Sequence, residues 1–154
     1  MKQGKVMFCA SAGGHYAELL QLAELIAHYN GVIITERTEI SKIAKYPTKY
    51  VPYSSRNEGV IYFFKLLYVG LLSLVYFVRY RPRVIISTGV HSTVPLCLIG
   101  WLFRRKIIYI ETVAVVTSPT MTGKIMAKIA TEFYVQWEDL LTIYPKATFG
   151  GVLF

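Results

Sequence analysis

One short stretch of the chain, Ser11-Ala12-Gly13-Gly14-His15, combines residue types that can bind an anion and move a proton. An apolar run precedes this stretch and an amphipathic run follows it, which predicts a strand, a glycine turn and then a helix. The helix start and the bare backbone of Gly13 and Gly14 favour a phosphate group, and the imidazole of His15 can exchange a proton with a hydroxyl. We therefore assign Ser11, Gly13, Gly14 and His15 to a site for a diphosphate or a reacting hydroxyl.

Two later parts of the chain carry related chemistry. A second strand-to-helix glycine turn supplies four more candidate binding residues, Thr88, Gly89, His91 and Ser92. A carboxylate, Glu111, and a hydroxyl, Thr112, directly follow the apolar run 107–110. Because ligands of open parallel sheets bind beyond the carboxyl ends of the strands, we expect these groups to converge with the first turn.

Glu111 is the preferred candidate for proton transfer, with His15 as the second. A carboxylate at the edge of an apolar core is costly unless it serves a purpose. General base help typically accelerates a reaction about 10²–10⁴-fold. Structural alternatives stay open: Glu111 could form an ion pair with Lys106 or Arg105 or cap a helix, and His15 could only cap a helix.

Composition and charge narrow the class of partner. The chain has 154 residues, of which 54% are hydrophobic and 17% charged, and its formal net charge is +8. This composition suits one domain that meets a membrane or a protein partner and binds an anion. Nucleic acid is disfavoured because no helix-turn-helix, zinc-finger or RNA-binding signature is present. The first turn lacks the dinucleotide fingerprint spacing and metal-ligand spacing is absent, so we expect neither a cofactor nor a metal.

Strand and helix patterns alternate along the chain. We predict strands at 5–10, 31–35, 49–53, 83–87, 106–110 and 133–136. We predict helices at 16–28, 60–79, 93–103 and 122–131. Continuously apolar strands that alternate with helices are typical of a parallel sheet covered on both faces. The predicted fold class is therefore α/β, a Rossmann-like parallel sheet in a single domain over residues 1–154.

The segment 60–78 has the length and composition of a membrane span, with Lys65 as its one charge. Strands of one sheet are predicted on both sides of it, so we expect a helix that lies at a membrane surface without crossing. Its apolar side would pack on the sheet: 63, 64, 66, 67, 71, 74, 75, 77 and 78. Its tyrosine-rich side and nearby arginines would meet lipid headgroups through Tyr62, Lys65, Tyr68, Tyr76, Arg79, Arg81, Arg104 and Arg105. The alternative is a helix buried wholly in a tight complex.

Several runs of the sequence, taken in order, resemble a known family. They are Ala10-Ser11-Ala12-Gly13-Gly14-His15, Arg81-Pro82-Arg83-Val84-Ile85-Ile86-Ser87-Thr88-Gly89, Val94-Pro95-Leu96-Cys97-Leu98, Ile108-Tyr109-Ile110-Glu111, Thr122-Gly123-Lys124, Val135-Gln136-Trp137-Glu138 and 144–151. They resemble the membrane-associated subunit of the two-part GlcNAc transferase that extends dolichol-diphosphate-GlcNAc. They also resemble its bacterial counterparts in capsule and exopolysaccharide synthesis, of the PssD, CpsF and EpsE kind.

This resemblance implies one half of a GT-B glycosyltransferase, similar to the acceptor-binding half of the peptidoglycan transferase MurG. It implies that a separate subunit binds a UDP-sugar, of GlcNAc or galactose type, and that the acceptor is linked to a polyprenyl or dolichyl diphosphate. Gly13, Gly14 and His15 would face that diphosphate, and Glu111 would fall at the MurG-like His-Glu element, where Ile110 replaces the histidine. The protein would act as a peripheral, monotopic protein on the cytoplasmic face of a membrane.

The contact with the donor subunit is expected near the end of the chain, at Gln136, Trp137, Glu138, Phe149 and Phe154. The main hypothesis is then a glycosyltransferase subunit that is active only with its partner. The alternative is a non-catalytic membrane anchor that recruits and activates a partner holding all the chemistry.

Overall fold

The computed structural model describes residues 5–42, 45–89 and 91–153. Its strands are β1 (Val6–Ala10), β2 (Val32–Glu36), β3 (Thr48–Val51), β4 (Val84–Ser87), β5 (Lys106–Ile110), β6 (Glu132–Val135) and β7 (Thr148–Phe149). Its α-helices are α1 (Gly14–Leu20), α2 (Ala23–His28), α3 (Glu39–Lys42), α4 (Val60–Tyr80), α5 (Val94–Leu102) and α6 (Met121–Ile129). Short 3₁₀ helices at Arg56–Glu58 and Glu138–Thr142 precede α4 and β7, respectively.

The strands in the described part of the chain form one sheet in the order β3-β2-β1-β4-β5-β6-β7. Every pairing among them is parallel. The chain builds one edge of the sheet first, returns beside β1 at β4 and then builds the other edge. Such a reversal of strand order opens a crevice at the carboxyl ends of the two central strands. This architecture confirms the predicted Rossmann-like α/β class.

Helices cover both faces of the sheet, which explains the continuously apolar strands. On one face, Phe8 and Ile33 pack with Leu19 of α1 and Ile26 of α2. On the other face, alternate residues of the same strands pack with α4, α5 and α6, and this larger core includes Met7, Cys9, Ile34, Val69, Ile85, Leu96 and Met126. The period of two along each strand sends neighbouring residues into different cores.

Some local structure differs from the sequence prediction. The expected helix 16–28 is two helices, because Gln21 N donates to Glu18 O at 3.1 Å and Leu22 N donates to Leu19 O at 3.0 Å. Such tight bonds, three residues apart, end α1. Neither α3 nor β7 was predicted, since elements of four and two residues are too short to show a period.

The long helix α4 exposes most of the face that its sequence pattern predicts to be buried. Only a narrow strip among its described residues is fully buried, namely Val69, Ser73 and Phe77. Most of the residues expected against the sheet are exposed instead: Phe63, Phe64, Leu67, Leu71, Leu74, Val75 and Val78. Leu71, for example, is 63% exposed. The prediction of the buried face is therefore wrong for most of its residues, although Phe77 is buried and Leu66 is half-buried.

Part of the tyrosine-rich side of α4 faces the protein, because the polar groups of Tyr62, Lys65 and Tyr76 or their rings find partners there. The Tyr76 hydroxyl donates to the Tyr50 carbonyl oxygen at 2.9 Å, and Lys65 pairs with Glu58. The Tyr62 ring lies edge-on to that of His91, with centroids 5.6 Å apart. The predicted membrane contacts at Tyr62, Lys65 and Tyr76 are corrected accordingly: these side chains lie on the protein side of the helix.

The remaining predicted membrane contacts divide into exposed and half-buried residues. Tyr68, Arg79, Arg81 and Arg104 are exposed. Arg105 is half-buried instead, with its guanidinium carbon 6.0 Å from the centre of the Phe77 ring. Among the described residues, α4 is the one helix long and apolar enough to cross a membrane, but strands of one sheet precede and follow it.

A matched pair of substitutions tests the orientation of α4. Val69→Ala should lower the free energy of unfolding by about 2 kcal/mol, because it removes two buried methyl groups and leaves a cavity. Val75→Ala should change the free energy by less than about 0.5 kcal/mol, as is usual for surface positions, since Val75 is 58% exposed whereas Val69 is fully buried. Urea denaturation followed by circular dichroism measures both values. The opposite ranking would show that the predicted face is the buried one.

Candidate functional site

The carboxyl ends of β1 and β4 meet at the point where the strand order reverses. A Cβ atom on Gly89 would lie 2.7 Å from the Ser11 nitrogen and 2.8 Å from the Ala10 Cα, so only glycine fits there. Apart from the adjoining residues and the backbone of α1, no heavy atom of the described residues lies within 4 Å of a Cβ placed on Gly13 or Gly14. Gly13 also has a φ of +80°, which favours glycine. The two turns therefore touch, and the first keeps an open side for a ligand.

His15 is fixed to the second turn by two hydrogen bonds. Its Nδ1 donates to the Thr88 carbonyl oxygen at 2.9 Å, and the Thr88 hydroxyl donates to the His15 carbonyl oxygen at 2.8 Å. Because a carbonyl oxygen only accepts, the proton of the neutral ring sits on Nδ1 and Nε2 keeps its lone pair. The side chain of His15 is 22% exposed, so the ring remains accessible at the edge of the sheet.

Glu18, which the sequence analysis did not single out, is the centre of a buried polar network behind His15. Its Oε2 lies 3.6 Å from His15 Nδ1. Its Oε1 accepts hydrogen bonds from the Thr112 hydroxyl at 3.0 Å, Val113 N at 2.7 Å and Gln136 Nε2 at 3.4 Å. One carboxylate thus joins α1 to the segments that follow β5 and β6. The available signal was its position, one helical turn after His15.

The imidazole and the carboxylate shift each other's pKa. Burial lowers the pKa of His15, but Glu18 and the Thr88 carbonyl outweigh this effect, so the pKa lies above the ordinary 6.5. Burial raises the pKa of Glu18, but the nearby His15 ring and the hydrogen bonds from Val113 and Thr112 outweigh it and hold the pKa below its ordinary value. An ionised Glu18 carboxylate therefore lies behind the His15 ring and increases its basicity.

Glu111 lies in a separate, closed pocket beneath the start of α6. It is 1% exposed, and its carboxylate accepts hydrogen bonds at 3.2–3.5 Å from the hydroxyls of Tyr109, Thr120 and Tyr144 and from Thr112 N. A Cβ atom on Gly123 would overlap Oε2 of Glu111, so this first turn of the helix covers the carboxylate. Burial raises the pKa of Glu111, although the hydrogen bonds oppose it. Its oxygens therefore do not face the open turn.

The contacts in this pocket also test the two structural alternatives for Glu111, an ion pair and a helix cap. Lys106 pairs with Glu132, and Arg105 lies over the ring of Phe77, so the ion pair proposed for Glu111 is wrong. Glu111 does contribute to a helix cap, but only through Thr120. Thr120 donates to Glu111 and accepts from Gly123 N at 2.7 Å, which caps α6.

The other predicted binding residues do not all surround one ligand space. Ser11, Ser92 and Thr112 are buried, and Thr112 serves Glu18. His91 faces the segment before α4, where its Nε2 donates to the Ser54 carbonyl oxygen at 3.0 Å. Of the two histidines expected at the site, His15 is therefore the one beside the first glycine turn.

The predicted partner interface is corrected at one position. Gln136 is 1% exposed, its Nε2 donates to the Glu111 carbonyl oxygen at 3.0 Å and its Oε1 accepts from Leu153 N at 2.9 Å. The amide of Gln136 lies between three segments, so this residue stabilises the site from inside the domain. Trp137, Glu138 and Phe149 are exposed, and Phe154 lies outside the described residues.

Comparisons with known proteins match the chain to one family over nearly its full length. A family model described as "Oligosaccharide biosynthesis protein Alg14 like" matches residues 6–153. The UDP-N-acetylglucosamine transferase subunit alg14 of Schizosaccharomyces pombe is 35% identical over 120 residues, which cover 73% of this chain and 56% of that protein. The chain thus spans a little over half the length of this relative.

Two solved glycosyltransferases have the same fold as this chain. The crystal structure of MurG from Acinetobacter baumannii superposes with a TM-score of 0.70 at 19% identity, over 88% of this chain and 42% of that one. The calicheamicin glycosyltransferase CalG4 superposes with a TM-score of 0.64 at 11% identity, over 99% of this chain and 53% of that one. This likeness shows the fold, that of one half of a GT-B glycosyltransferase.

The coupling of Glu18 to His15 predicts a change in histidine titration. Glu18→Gln should lower the pKa of His15, because burial then acts without the opposing carboxylate. In the unsubstituted chain, a folded pKa above the ordinary 6.5 adds stability that is fully present below pH 6.5 and is lost as the pH rises through the folded pKa. Glu18→Gln should remove that dependence.

Nuclear magnetic resonance titration of the His15 ring measures this effect. Glu24→Gln is the matched control, since Glu24 is exposed on α2 and should leave the pKa of His15 unchanged. Equal His15 pKa values in both variants would disprove the coupling.

Proposed function

The chain belongs to the Alg14 family, and from that membership we propose that it is the acceptor-binding subunit of a two-chain glycosyltransferase. The proposed reaction transfers a sugar, of GlcNAc or galactose type, from a UDP-sugar to an acceptor linked to a polyprenyl or dolichyl diphosphate. The relative from S. pombe is named as a transferase subunit, and the chain matches about half of each GT-B structure. The donor sugar would therefore bind to a partner chain.

The geometry of His15 carries this proposal. Its Nδ1 is committed to the Thr88 carbonyl oxygen, so Nε2 is the atom that would take the proton from the acceptor hydroxyl. Glu18 stands behind the ring as the group that strengthens this base. The open side of Gly13 and Gly14 gives the diphosphate room to approach the backbone.

Glu111 has a different role in this mechanism from the one expected from the sequence. Its oxygens accept hydrogen bonds from Tyr109, Thr120 and Tyr144 and are closed to solvent. We therefore treat Glu111 as a positioning residue that fixes the start of α6, and His15 as the residue that meets the acceptor.

The membrane contact in this proposal is the exposed apolar face of α4. Phe64, Leu67 and Leu71 are each more than half exposed, and Arg79 and Arg81 lie at the end of the same helix. A long apolar stripe with cations at one end is typical of a helix that lies in the membrane surface and meets anionic lipid. The protein would be peripheral, on the cytoplasmic face, with Trp137, Glu138 and Phe149 left for the donor subunit.

A non-catalytic anchor remains the second candidate function. The size of the apolar face of α4 and the closure of the pocket around Glu111 both favour it. The anchor would deliver a partner to the membrane and contribute no reacting group. A substitution at His15 distinguishes the two functions, because only the catalytic subunit needs its imidazole.

His15→Gln should lower kcat of the complex with the donor subunit about 10²–10⁴-fold, because it removes the base. The assay uses UDP-GlcNAc or UDP-galactose with a lipid-diphosphate-linked sugar acceptor, and it compares the variant with the unsubstituted complex. His28→Gln is the control, since His28 is exposed at the end of α2 and should retain full activity. An unchanged kcat in His15→Gln, with the complex intact, would support the anchor.

The membrane contact is tested with one substitution on each face of the domain. Leu71→Gln should weaken binding to vesicles that contain anionic lipid by about tenfold, because a leucine side chain no longer enters the apolar layer. Leu25→Gln should not, since Leu25 is also exposed but lies on α2, on the other face of the sheet. Vesicle co-sedimentation measures both. Equal binding by both variants would remove α4 from the membrane contact.

A further inference from the structure

An apolar cleft lies between the first turns of α4, α5 and α6. Its volume is about 240 Å³. The residues that line it include Tyr62, Leu66, Pro95, Leu98, Met121 and Ile125. None of the interactions described for His15, Glu18 or Glu111 uses this space.

One end of the cleft borders the candidate site. His91, which lines it, belongs to the turn that also contains Gly89, and Gly89 touches Ser11 of the first turn. Thr122 lines the cleft as well and directly precedes Gly123, which covers Glu111. The cleft therefore begins beside the polar layer at the carboxyl ends of the strands.

The other end of the cleft opens onto the exposed apolar face of α4 and α5. Leu98 and Met121 line the cleft and are themselves 40% and 63% exposed. Phe63 and Leu67, the exposed neighbours of Tyr62 and Leu66 in α4, continue the apolar surface beyond it. The path thus runs from polar groups, through an apolar cleft, to an apolar surface.

We propose that this cleft binds the first isoprene units of the lipid-diphosphate acceptor. This inference rests on the proposed function, because it needs the diphosphate at the glycine turn. A ligand with an anionic head and an apolar tail matches the order of these surfaces, with the head near Gly13 and the tail directed toward the face that meets the membrane. A soluble polar substrate would leave the apolar lining unused.

A photoreactive probe tests the path directly. The probe is farnesyl diphosphate that carries a benzophenone at its distal end, added to the full chain in mild detergent. We expect crosslinks in the segments 62–66, 94–98 or 121–125, mapped by mass spectrometry. Crosslinks confined to other segments at saturating probe, or no crosslinks at all, would overturn the inference.

A matched pair of variants tests whether the cleft itself is occupied. Ile125→Trp fills the cleft and should reduce labelling about tenfold, as expected when an apolar group loses its burial. Leu25→Trp makes a similar change on α2, on the other face of the sheet, and should label as the unsubstituted chain does. Leu98→Gln, at a partly exposed lining position, serves the same purpose if Ile125→Trp does not fold, as judged by thermal unfolding.

Competition separates this inference from the proposed function. Inorganic diphosphate should displace the probe if the head binds at the glycine turn, and farnesol should displace it less well. Displacement by diphosphate together with equal labelling of Ile125→Trp would overturn the cleft and leave the proposed function standing. Labelling of the cleft that diphosphate does not reduce would overturn the diphosphate site, and with it the inference.

Discussion

The buried carboxylate of Glu18 holds the carboxyl-end layer of the sheet in one arrangement. An ionised group inside a protein is costly unless hydrogen bonds fill its capacity. Glu18 receives them from Thr112, Val113 and Gln136, which lie on two separate segments, and it turns its second oxygen toward His15. Loss of the carboxylate would leave these donors unpaired inside the domain, at a cost of about 1–3 kcal/mol for each such group. The same interaction therefore serves the folding of the site and the basicity of its imidazole.

The orientation of α4 is the second constraint, and it links the proposed membrane contact to the candidate site. The helix buries only a narrow strip and directs most of its large apolar side chains outward, unlike a helix that packs its apolar face on a soluble core. His91 joins this helix to the central turn, because it bonds Ser54 in the segment before α4 and packs against Tyr62 within it. A membrane that fixes α4 would thereby also fix the height of the glycine turns above the lipid surface.

The sequence predicted the sheet because its signal is local and redundant: six apolar runs that alternate with helices leave little choice of class. It also placed His15 and the turn at Gly89 at the same edge of the sheet, where the backbone at Gly89 can accept only glycine. The sequence-based prediction failed where one pattern is compatible with two packing arrangements. Both sides of α4 are apolar enough to be buried, and the choice depends on partners such as Tyr50, which lies on another segment. Glu18 was missed and Gln136 was assigned to the partner interface, because their contacts reach across three segments, which no spacing shows.

The two buried carboxylates, Glu18 and Glu111, show how environment assigns different roles to one chemical group. Glu18 faces a histidine and backbone N–H groups that favour its charge, so its pKa falls and it supports a base. Glu111 faces hydroxyls, and burial raises its pKa. Burial also raises the pKa of Tyr109 and Tyr144, so both remain donors to it. A carboxylate enclosed in this way can hold Thr120 and the start of α6 in place, but it cannot reach an acceptor hydroxyl unless α6 moves. In the proposed mechanism, His15 therefore carries out proton transfer at the open turn, and Glu111 fixes the position of α6, which forms one wall of the apolar cleft.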